Sequence, residues 1–151
     1  AAETLIGTPE IENTITQSDF GGEDEIEIQF SYPDDGAQKN YYMMGVKTNR
    51  AAFSEYFLES DEMFQGKKMV QFYSHEDLKK GDSLNIKLYG TSKRFFDYFN
   101  KILVASGNDG SPFPTTPAGV RGNIINQTDT KNYALGYFRL SEVVTRDYTV
   151  Q

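Results

Sequence analysis

The 151-residue chain contains no cysteine and no tryptophan, and it has one histidine, His75. The absence of cysteine excludes disulfide bonds, thiolate metal sites and cysteine nucleophiles. A Ser-His-Asp triad or a histidine metal site would have only His75 to use, and its polar turn, beside Glu76 and Asp77, is typical of a solvated side chain. We therefore predict that the chain is not an enzyme, has no catalytic residues and requires no metal ion or cofactor.

Positive charge is also scarce, because 15 Lys and Arg stand against 22 Asp and Glu and leave a net charge of −7. Nucleic acids bind clustered Lys and Arg, so no nucleic-acid partner is expected, and docking on anionic lipid is disfavoured as well. No apolar run approaches the roughly 20 residues of a membrane-spanning helix. No signal peptide is recognisable and the chain begins at Ala1, so we expect a processed chain or an excised fragment.

Acidic residues cluster at two places, Asp34-Asp35-Gly36 and Glu59-Ser60-Asp61-Glu62. Carboxylates are the ligands that calcium prefers, but neither cluster has the alternating spacing that preorganises a calcium loop. The sequence therefore favours a turn at the first cluster and a solvated loop at the second. A glycosidase would need two carboxylates facing each other across roughly 5–9.5 Å, and no local motif marks such a pair.

Aromatic and turn-forming residues are abundant, and 10 Tyr, 11 Phe and 13 Gly favour a β-rich fold with many turns. Apolar and polar residues alternate over Glu25–Tyr32, which is the period of a half-buried strand. Pro33–Gly36 has turn chemistry and Asn40–Lys47 supplies a returning strand, so we predict a hairpin here. The stretch Phe53–Phe57 fits either a short helical turn or an irregular aromatic segment. Further strands are predicted at Ile11–Thr16, Lys67–Tyr73, Ser83–Tyr89, Tyr133–Leu140 and Val143–Val150.

One amphipathic helix is predicted over Ser92–Ala105. Thr91 or Ser92 is suited to cap its first turn, because a hydroxyl oxygen there accepts a hydrogen bond from an unpaired backbone N–H. Asp97 and Lys101 have the spacing of an ion pair on the exposed side. Apolar side chains recur at helical spacing on the other side and form a stripe that we expect to pack on a sheet. This stripe consists of Phe95, Phe99, Ile102 and Leu103.

About seven strands, with one helix inserted before the last two, predict an antiparallel β-sandwich, immunoglobulin-like or related. We expect the helix to pack at one end of the sandwich. The chain length fits a single core. We divide the chain into a lead-in or interdomain segment, residues 1–20, and a single β-sandwich domain, residues 21–151. A loop studded with proline, Pro112–Pro117, follows the helix.

The C-terminal part carries a two-part pattern, Gly122-Asn123-Ile124 followed by Ala134-Leu135-Gly136-Tyr137-Phe138. The two glycines allow backbone angles or close approaches that a Cβ atom would obstruct. The asparagine is suited to bond local backbone and tolerates a left-handed conformation. We expect Leu135, Tyr137 or Phe138 to fill the sandwich. The predicted role of the signature is structural, and no ligand-binding residue follows from it. Its residues are Gly122, Asn123, Ile124, Leu135, Gly136, Tyr137 and Phe138.

Together with the strand at Gly81–Leu88, the aromatic helix and the loop at Pro112–Pro117, this signature resembles a Bacteroidetes cell-envelope lipoprotein family of unknown function. The genes of that family commonly neighbour those of TonB-dependent outer-membrane receptors. The resemblance covers the C-terminal part of such a protein. It implies a place at the bacterial outer membrane, the cell surface or the periplasm. It also implies attachment to the membrane only through a lipid anchor that is absent from this chain.

The sequence leaves three hypotheses of function open. The first is a non-enzymatic accessory or interaction domain of an outer-membrane lipoprotein, whose partner is a TonB-dependent receptor or another envelope protein. The second is a carbohydrate- or peptide-binding module with a site between the loops around Phe53–Phe64 and Ser106–Arg121. The third, a hydrolase fragment, has the least support because the chain has one histidine. Exposed aromatic side chains on one flat face would favour the ligand-binding module. An apolar patch without a pocket would favour the interaction domain.

Overall fold

The structure is a computed structural model that describes residues 5–17, 25–107 and 119–151. In these ranges the chain forms seven strands and one α-helix, with a 3₁₀ turn at Asp61–Met63. The predicted proline loop, Pro112–Pro117, lies outside the described residues. The elements in chain order are β1 (Glu10–Gln17), β2 (Glu25–Tyr32), β3 (Tyr41–Thr48), β4 (Glu55–Ser60), β5 (Met69–Ser74), β6 (Ser83–Thr91), α1 (Lys93–Ala105) and β7 (Val143–Thr149).

The strands form two antiparallel sheets, one of three strands in the order β1-β2-β5 and one of four in the order β4-β3-β6-β7. Each sheet turns one face inward, and the apolar side chains of these two faces form a shared core. Each large side chain buried there contributes about 1.5–3 kcal/mol. The predicted β-sandwich is therefore confirmed. The core includes Ile26, Ile28, Phe30, Tyr32, Tyr42, Met44, Val46, Met69, Tyr73, Leu84, Ile86 and Leu88.

The predicted hairpin between the second and third strands is wrong. The strand β2 pairs with β1 and β5, whereas β3 pairs with β4 and β6 in the other sheet. The turn after Tyr32 thus carries the chain across the sandwich. The cause lies in β3, whose side chains are buried on both faces from Tyr41 to Val46. Such a strand must lie in the middle of a sheet that is covered on both sides.

The ambiguous stretch after β3 forms an edge strand, β4, which the sequence did not predict. The 3₁₀ turn that follows begins at Asp61, which is fully buried rather than part of a solvated loop. The Asp61 carboxylate accepts the backbone N–H of Asn40 at 2.8 Å, and the Asn40 carbonyl accepts the Asp61 N–H at 3.3 Å. The acidic character that indicated exposure therefore serves a buried contact between two loops.

The predicted helix is confirmed, with Ser92 as the N-cap that accepts a hydrogen bond from the Phe95 N–H at 3.3 Å. The ion pair predicted between Asp97 and Lys101 is wrong. Asp97 instead pairs with Lys93, one turn earlier in the helix. The helix packs on the outer face of the four-stranded sheet rather than at one end of the sandwich, and of the predicted stripe Phe99 contacts this sheet. Phe96 lies 5.2 Å from Tyr41, between ring centroids, and Phe99 packs edge-on against Tyr56 of β4.

The predicted C-terminal strand is confirmed as β7, which lies at an edge of the four-stranded sheet. Its Val144 and Tyr148 face the core, and Val150 beyond it is buried. The other predicted C-terminal strand, Tyr133–Leu140, is wrong, since these residues pair with no strand in the described structure. One strand therefore follows the helix within the described residues, where two were predicted.

The first strand lies in the stretch that the sequence set apart as a lead-in. It pairs along β2 at an edge of the three-stranded sheet, with a bulge between Ile11 and Asn13. Leu5 is buried, and its N–H donates to the carboxylate of Glu142, 3.0 Å away, near the other end of the chain. The described part of residues 1–20 is thus packed against the sandwich.

Candidate interaction surface

Residues 119–142 pack beside helix α1, and Arg139 in this segment contacts both the helix and the sheet. The Tyr137 ring packs against Phe95 and Tyr98, with centroids 5.3 and 4.9 Å apart. The Arg139 guanidinium lies over the Phe95 ring at 4.0 Å and over Tyr89 of the sheet at 5.1 Å. Cation–π contacts of this kind contribute about 0.5–2 kcal/mol each. Helix, sheet and C-terminal segment therefore form one layered unit.

The two halves of the predicted signature meet within this segment. A Cβ atom on Gly122 would lie 1.5 Å from the carbonyl oxygen of Gly136, so only glycine allows the two backbones to approach this closely. Gly136 has a φ of +146°, which L side chains rarely adopt. The Asn123 side chain bonds both backbone groups of Phe138, at 2.7 and 2.8 Å. The close approach of the two glycines and the paired bonds of Asn123 therefore join the two halves of the signature.

Other members of the signature lie elsewhere than expected. Leu135 and Phe138 are exposed, and Ile124 is partly so. Tyr137 is half-buried, but it packs on the helix and not inside the sandwich. The expectation that one of these side chains fills the sandwich is therefore wrong, because the segment that carries them lies one layer further out.

The result is a concentration of exposed apolar side chains in one part of the chain, which we call the C-terminal apolar surface. Phe138 is 69% exposed and Leu140 80% exposed, although the polar atoms around them are well bonded. Apolar side chains that are exposed together on a protein surface often mark a site where a partner binds. The surface comprises Ile124, Ile125, Tyr133, Leu135, Phe138, Leu140 and Val143.

Two cavities adjoin this surface, and a third lies beside it on the helix. An apolar one of about 440 Å³ is lined by Tyr98, Ile102 and Leu135, among others. A second, of about 250 Å³, lies beside Ile125 and Tyr133. The third, of about 260 Å³, lies between the helix and Arg121. All three cavities are open to solvent. Two of them are smaller than the pockets of about 300–1,000 Å³ that commonly enclose ligands, and the apolar one falls in this range but is shallow.

The loops of the alternative ligand site do not present one aromatic platform. Tyr56 and Phe57 are adjacent on β4, so their rings point to opposite faces of the sheet. Accordingly Tyr56 packs against Phe99 of the helix, whereas Phe57 packs against Tyr73 on the other side. Phe53 is exposed on the preceding loop. Much of the second predicted loop, Ser106–Arg121, lies outside the described residues.

The two acidic clusters meet around Asn40. Asp34 accepts hydrogen bonds from the Tyr42 hydroxyl at 2.6 Å and the Gly66 N–H at 2.6 Å, and its other donors include the Asn40 amide. Burial by itself raises the pKa of Asp34, but these bonds outweigh burial and hold the pKa below its usual value. Burial raises the pKa of Asp61, and the Asp34 charge adds to this effect. Both carboxylates thus hold two loops together.

Few side chains are placed for catalysis or metal binding. His75 is half-buried, and its Nδ1 accepts the backbone N–H of Asp77 at 3.1 Å within a turn. Among residues 5–17, 25–107 and 119–151, no three His, Cys, Asp or Glu side chains are grouped to hold a metal ion. In the same ranges no helix has the length and apolar character needed to cross a membrane.

Comparison with known proteins places the chain in a family. No curated protein and no solved structure matches it. A family described as a domain of unknown function, DUF4249, matches residues 1–147, which include the sandwich, the helix and the C-terminal signature. Since this match covers nearly the whole chain, the protein belongs to the DUF4249 family.

Proposed function

We propose that the chain is a non-enzymatic interaction domain of an outer-membrane lipoprotein, and that its C-terminal apolar surface docks on a TonB-dependent receptor. The observation that supports this proposal is the exposure of Phe138 and Leu140, the first of which has both its backbone groups bonded by the Asn123 side chain. A surface that is rigid and apolar before binding loses little conformational entropy when a partner covers it.

The architecture fits a docking role better than an enclosed ligand site. The free edge β7 begins at Val143, which belongs to the apolar surface and is exposed. Aromatic side chains near the alternative loops point to opposite faces of a sheet, which is unlike a stacking platform for sugars. The place in the envelope and the receptor partner are supported by the resemblance of the signature and the helix.

The test is recovery of the full-length protein from the outer membrane of its native host after chemical cross-linking. We expect the wild type to be recovered with a TonB-dependent receptor. The double variant Phe138→Ser/Leu140→Ser should lose the receptor while keeping its thermal stability, because both side chains are exposed. Phe72→Ser is the matched control, since Phe72 is 58% exposed on β5, in the other sheet.

Three results would contradict the proposal. The first is recovery of the wild type without a receptor. The second is equal recovery of the receptor with the double variant. The third is a loss of the receptor with Phe72→Ser as large as that with the double variant, which would indicate nonspecific apolar contact.

A further inference from the structure

Helix α1 carries a row of polar side chains beside its apolar stripe. Arg94, Asp97, Tyr98 and Lys101 are spaced at i, i+3, i+4 and i+7, so they form one row along the helix. This row lines the cavity of about 260 Å³, whose opposite wall consists of Arg121, Gly122 and Tyr137. The close approach of Gly122 to Gly136 therefore also brings a third cation towards the two on the helix.

Among the described residues, three cations and one carboxylate line this cavity. The carboxylate belongs to Asp97, both of whose oxygens bond Lys93 at 2.9 and 2.7 Å. Within the described part of the chain, Arg94, Lys101 and Arg121 form no ion pair with a carboxylate. The chain as a whole is acidic, so three unpaired cations around one cavity are a local exception to its net charge of −7.

The segments that surround the cavity also carry a net positive charge. Helix α1 and residues 119–142 together contain six Lys and Arg against three Asp and Glu. The Arg121 guanidinium stacks on the Tyr133 ring at 3.4 Å, and Arg121 lines both this cavity and the neighbouring one of about 250 Å³, to which Tyr133 belongs.

We propose that this cavity, which we call the basic cavity, binds a phosphate group. Guanidinium groups match the geometry of phosphate oxygens and donate two parallel hydrogen bonds, and a lysine adds a mobile point charge. Three cations suit a doubly charged phosphate better than a singly charged carboxylate. The phenol groups of Tyr98 and Tyr137 supply further donors and an aromatic wall for the part of the ligand next to the phosphate.

The phosphate group has two possible sources, a soluble phosphoester or the headgroup of a phospholipid, and they share the same recognition chemistry. The net negative charge of the chain disfavours general attraction to an anionic membrane, but it does not act against a local site within a Debye length of about 8–10 Å. This proposal is independent of the receptor proposal, because it uses the helix face and not the exposed apolar side chains.

The experiment measures two ligands on the same variants. Calorimetric titration with inorganic phosphate, in low-salt buffer without other multivalent anions, tests the soluble source. Co-sedimentation with phosphatidylcholine vesicles, with and without phosphatidylglycerol, tests the lipid source. The variant is Arg94→Gln/Lys101→Gln, in which both side chains are exposed, so the fold should be retained. Lys87→Gln/Arg146→Gln removes the same charge from exposed positions outside the cavity.

We expect the helix variant to weaken phosphate binding at least about tenfold, because two charge-assisted contacts are lost, while the control stays within about twofold of the wild type. Binding only to vesicles with phosphatidylglycerol, lost in the helix variant alone, would support the proposal with a lipid headgroup as the source. Two results would overturn it: no binding of phosphate or of anionic vesicles by the wild type, or an equal loss in both variants.

Discussion

The Asn123 side chain replaces a strand partner for Phe138. Its Oδ1 accepts the Phe138 N–H at 2.8 Å, and its Nδ2 donates to the Phe138 carbonyl at 2.7 Å. These are the two bonds that a neighbouring residue makes in an antiparallel ladder. The backbone of Phe138 is therefore bonded at both polar groups, although residues 133–140 belong to no strand.

Replacement of Asn123 should loosen the C-terminal segment. Asn123→Ala removes both bonds to Phe138, and we expect a loss of about 1–2 kcal/mol in the free energy of unfolding, measured by urea denaturation. Asn132→Ala is the matched control, because Asn132 is exposed and we expect a change within about 0.5 kcal/mol. Equal losses in the two variants would mean that the paired bonds contribute nothing specific.

The glycine contact gives a second test of the same segment. Gly122→Ala places a methyl group against the Gly136 carbonyl, so the two backbones must separate, and we expect a loss of more than about 1 kcal/mol. Gly119→Ala has no atom within 4 Å of the added Cβ atom and no positive φ. It should be neutral or slightly stabilising, because alanine restricts the unfolded chain. Thermal melts of both variants decide this, and a neutral Gly122→Ala would contradict the observed approach.

Phe95 should be the side chain that fixes the helix to the rest of the fold. It is buried and contacts Phe99, Tyr98, Tyr137 and the Arg139 guanidinium. Phe95→Ala should therefore lower the free energy of unfolding by about 3–5 kcal/mol.

The control for this prediction is Phe138→Ala. Its ring is exposed, so the same truncation should change the free energy of unfolding by about 0.5 kcal/mol or less. If Phe95→Ala cost no more than Phe138→Ala in chemical denaturation, the packing of the helix on its neighbours would be disproved.

Periodicity in the sequence was sufficient for the elements that obey one pattern. Alternation located β2 and β6, and helical spacing with a serine cap located α1. The pairing of the strands was harder to predict from the sequence, because β2 and β3 are adjacent in sequence but belong to different sheets. The burial of β3 on both faces depends on a helix some fifty residues later in the chain, and no local pattern contains that information.

The candidate surface was only partly predictable for a related reason. Glycine and asparagine marked a structural role at Gly122, Asn123 and Gly136, because their backbone and hydrogen-bonding properties are local. The exposure of Leu135 and Phe138 was not predictable, since large apolar side chains are usually buried in the core. The sequence does not show that the segment with these residues lies outside the two sheets. The basic cavity could not be predicted, because Arg121 lies outside the helix that carries Arg94 and Lys101 and the chain is acidic overall.

Low pH should lower the free energy of unfolding through protonation of Asp82. This residue joins the β5–β6 turn to the loop after β3. Its carboxylate is bonded by the Arg50 guanidinium at 2.7 Å and by the Lys79 N–H at 2.8 Å. The hydrogen bond from Arg50 is the main cause that lowers the pKa of Asp82 from 3.8 to about 2. Because the folded pKa is depressed, this carboxylate stabilises the protein above about pH 4, and the contribution is lost as the pH falls towards 2.

Asp82→Asn tests this pH dependence. The variant should have a lower urea midpoint than the wild type at pH 7, and the difference should shrink steadily between pH 4 and pH 2, where the wild-type carboxylate becomes protonated as well. Asp77→Asn, at an exposed position in the same turn, should leave the midpoint nearly unchanged at both ends of the range. A difference between wild type and Asp82→Asn that stayed constant down to pH 2 would show that the substitution acts through packing, and not through the charge that Arg50 stabilises.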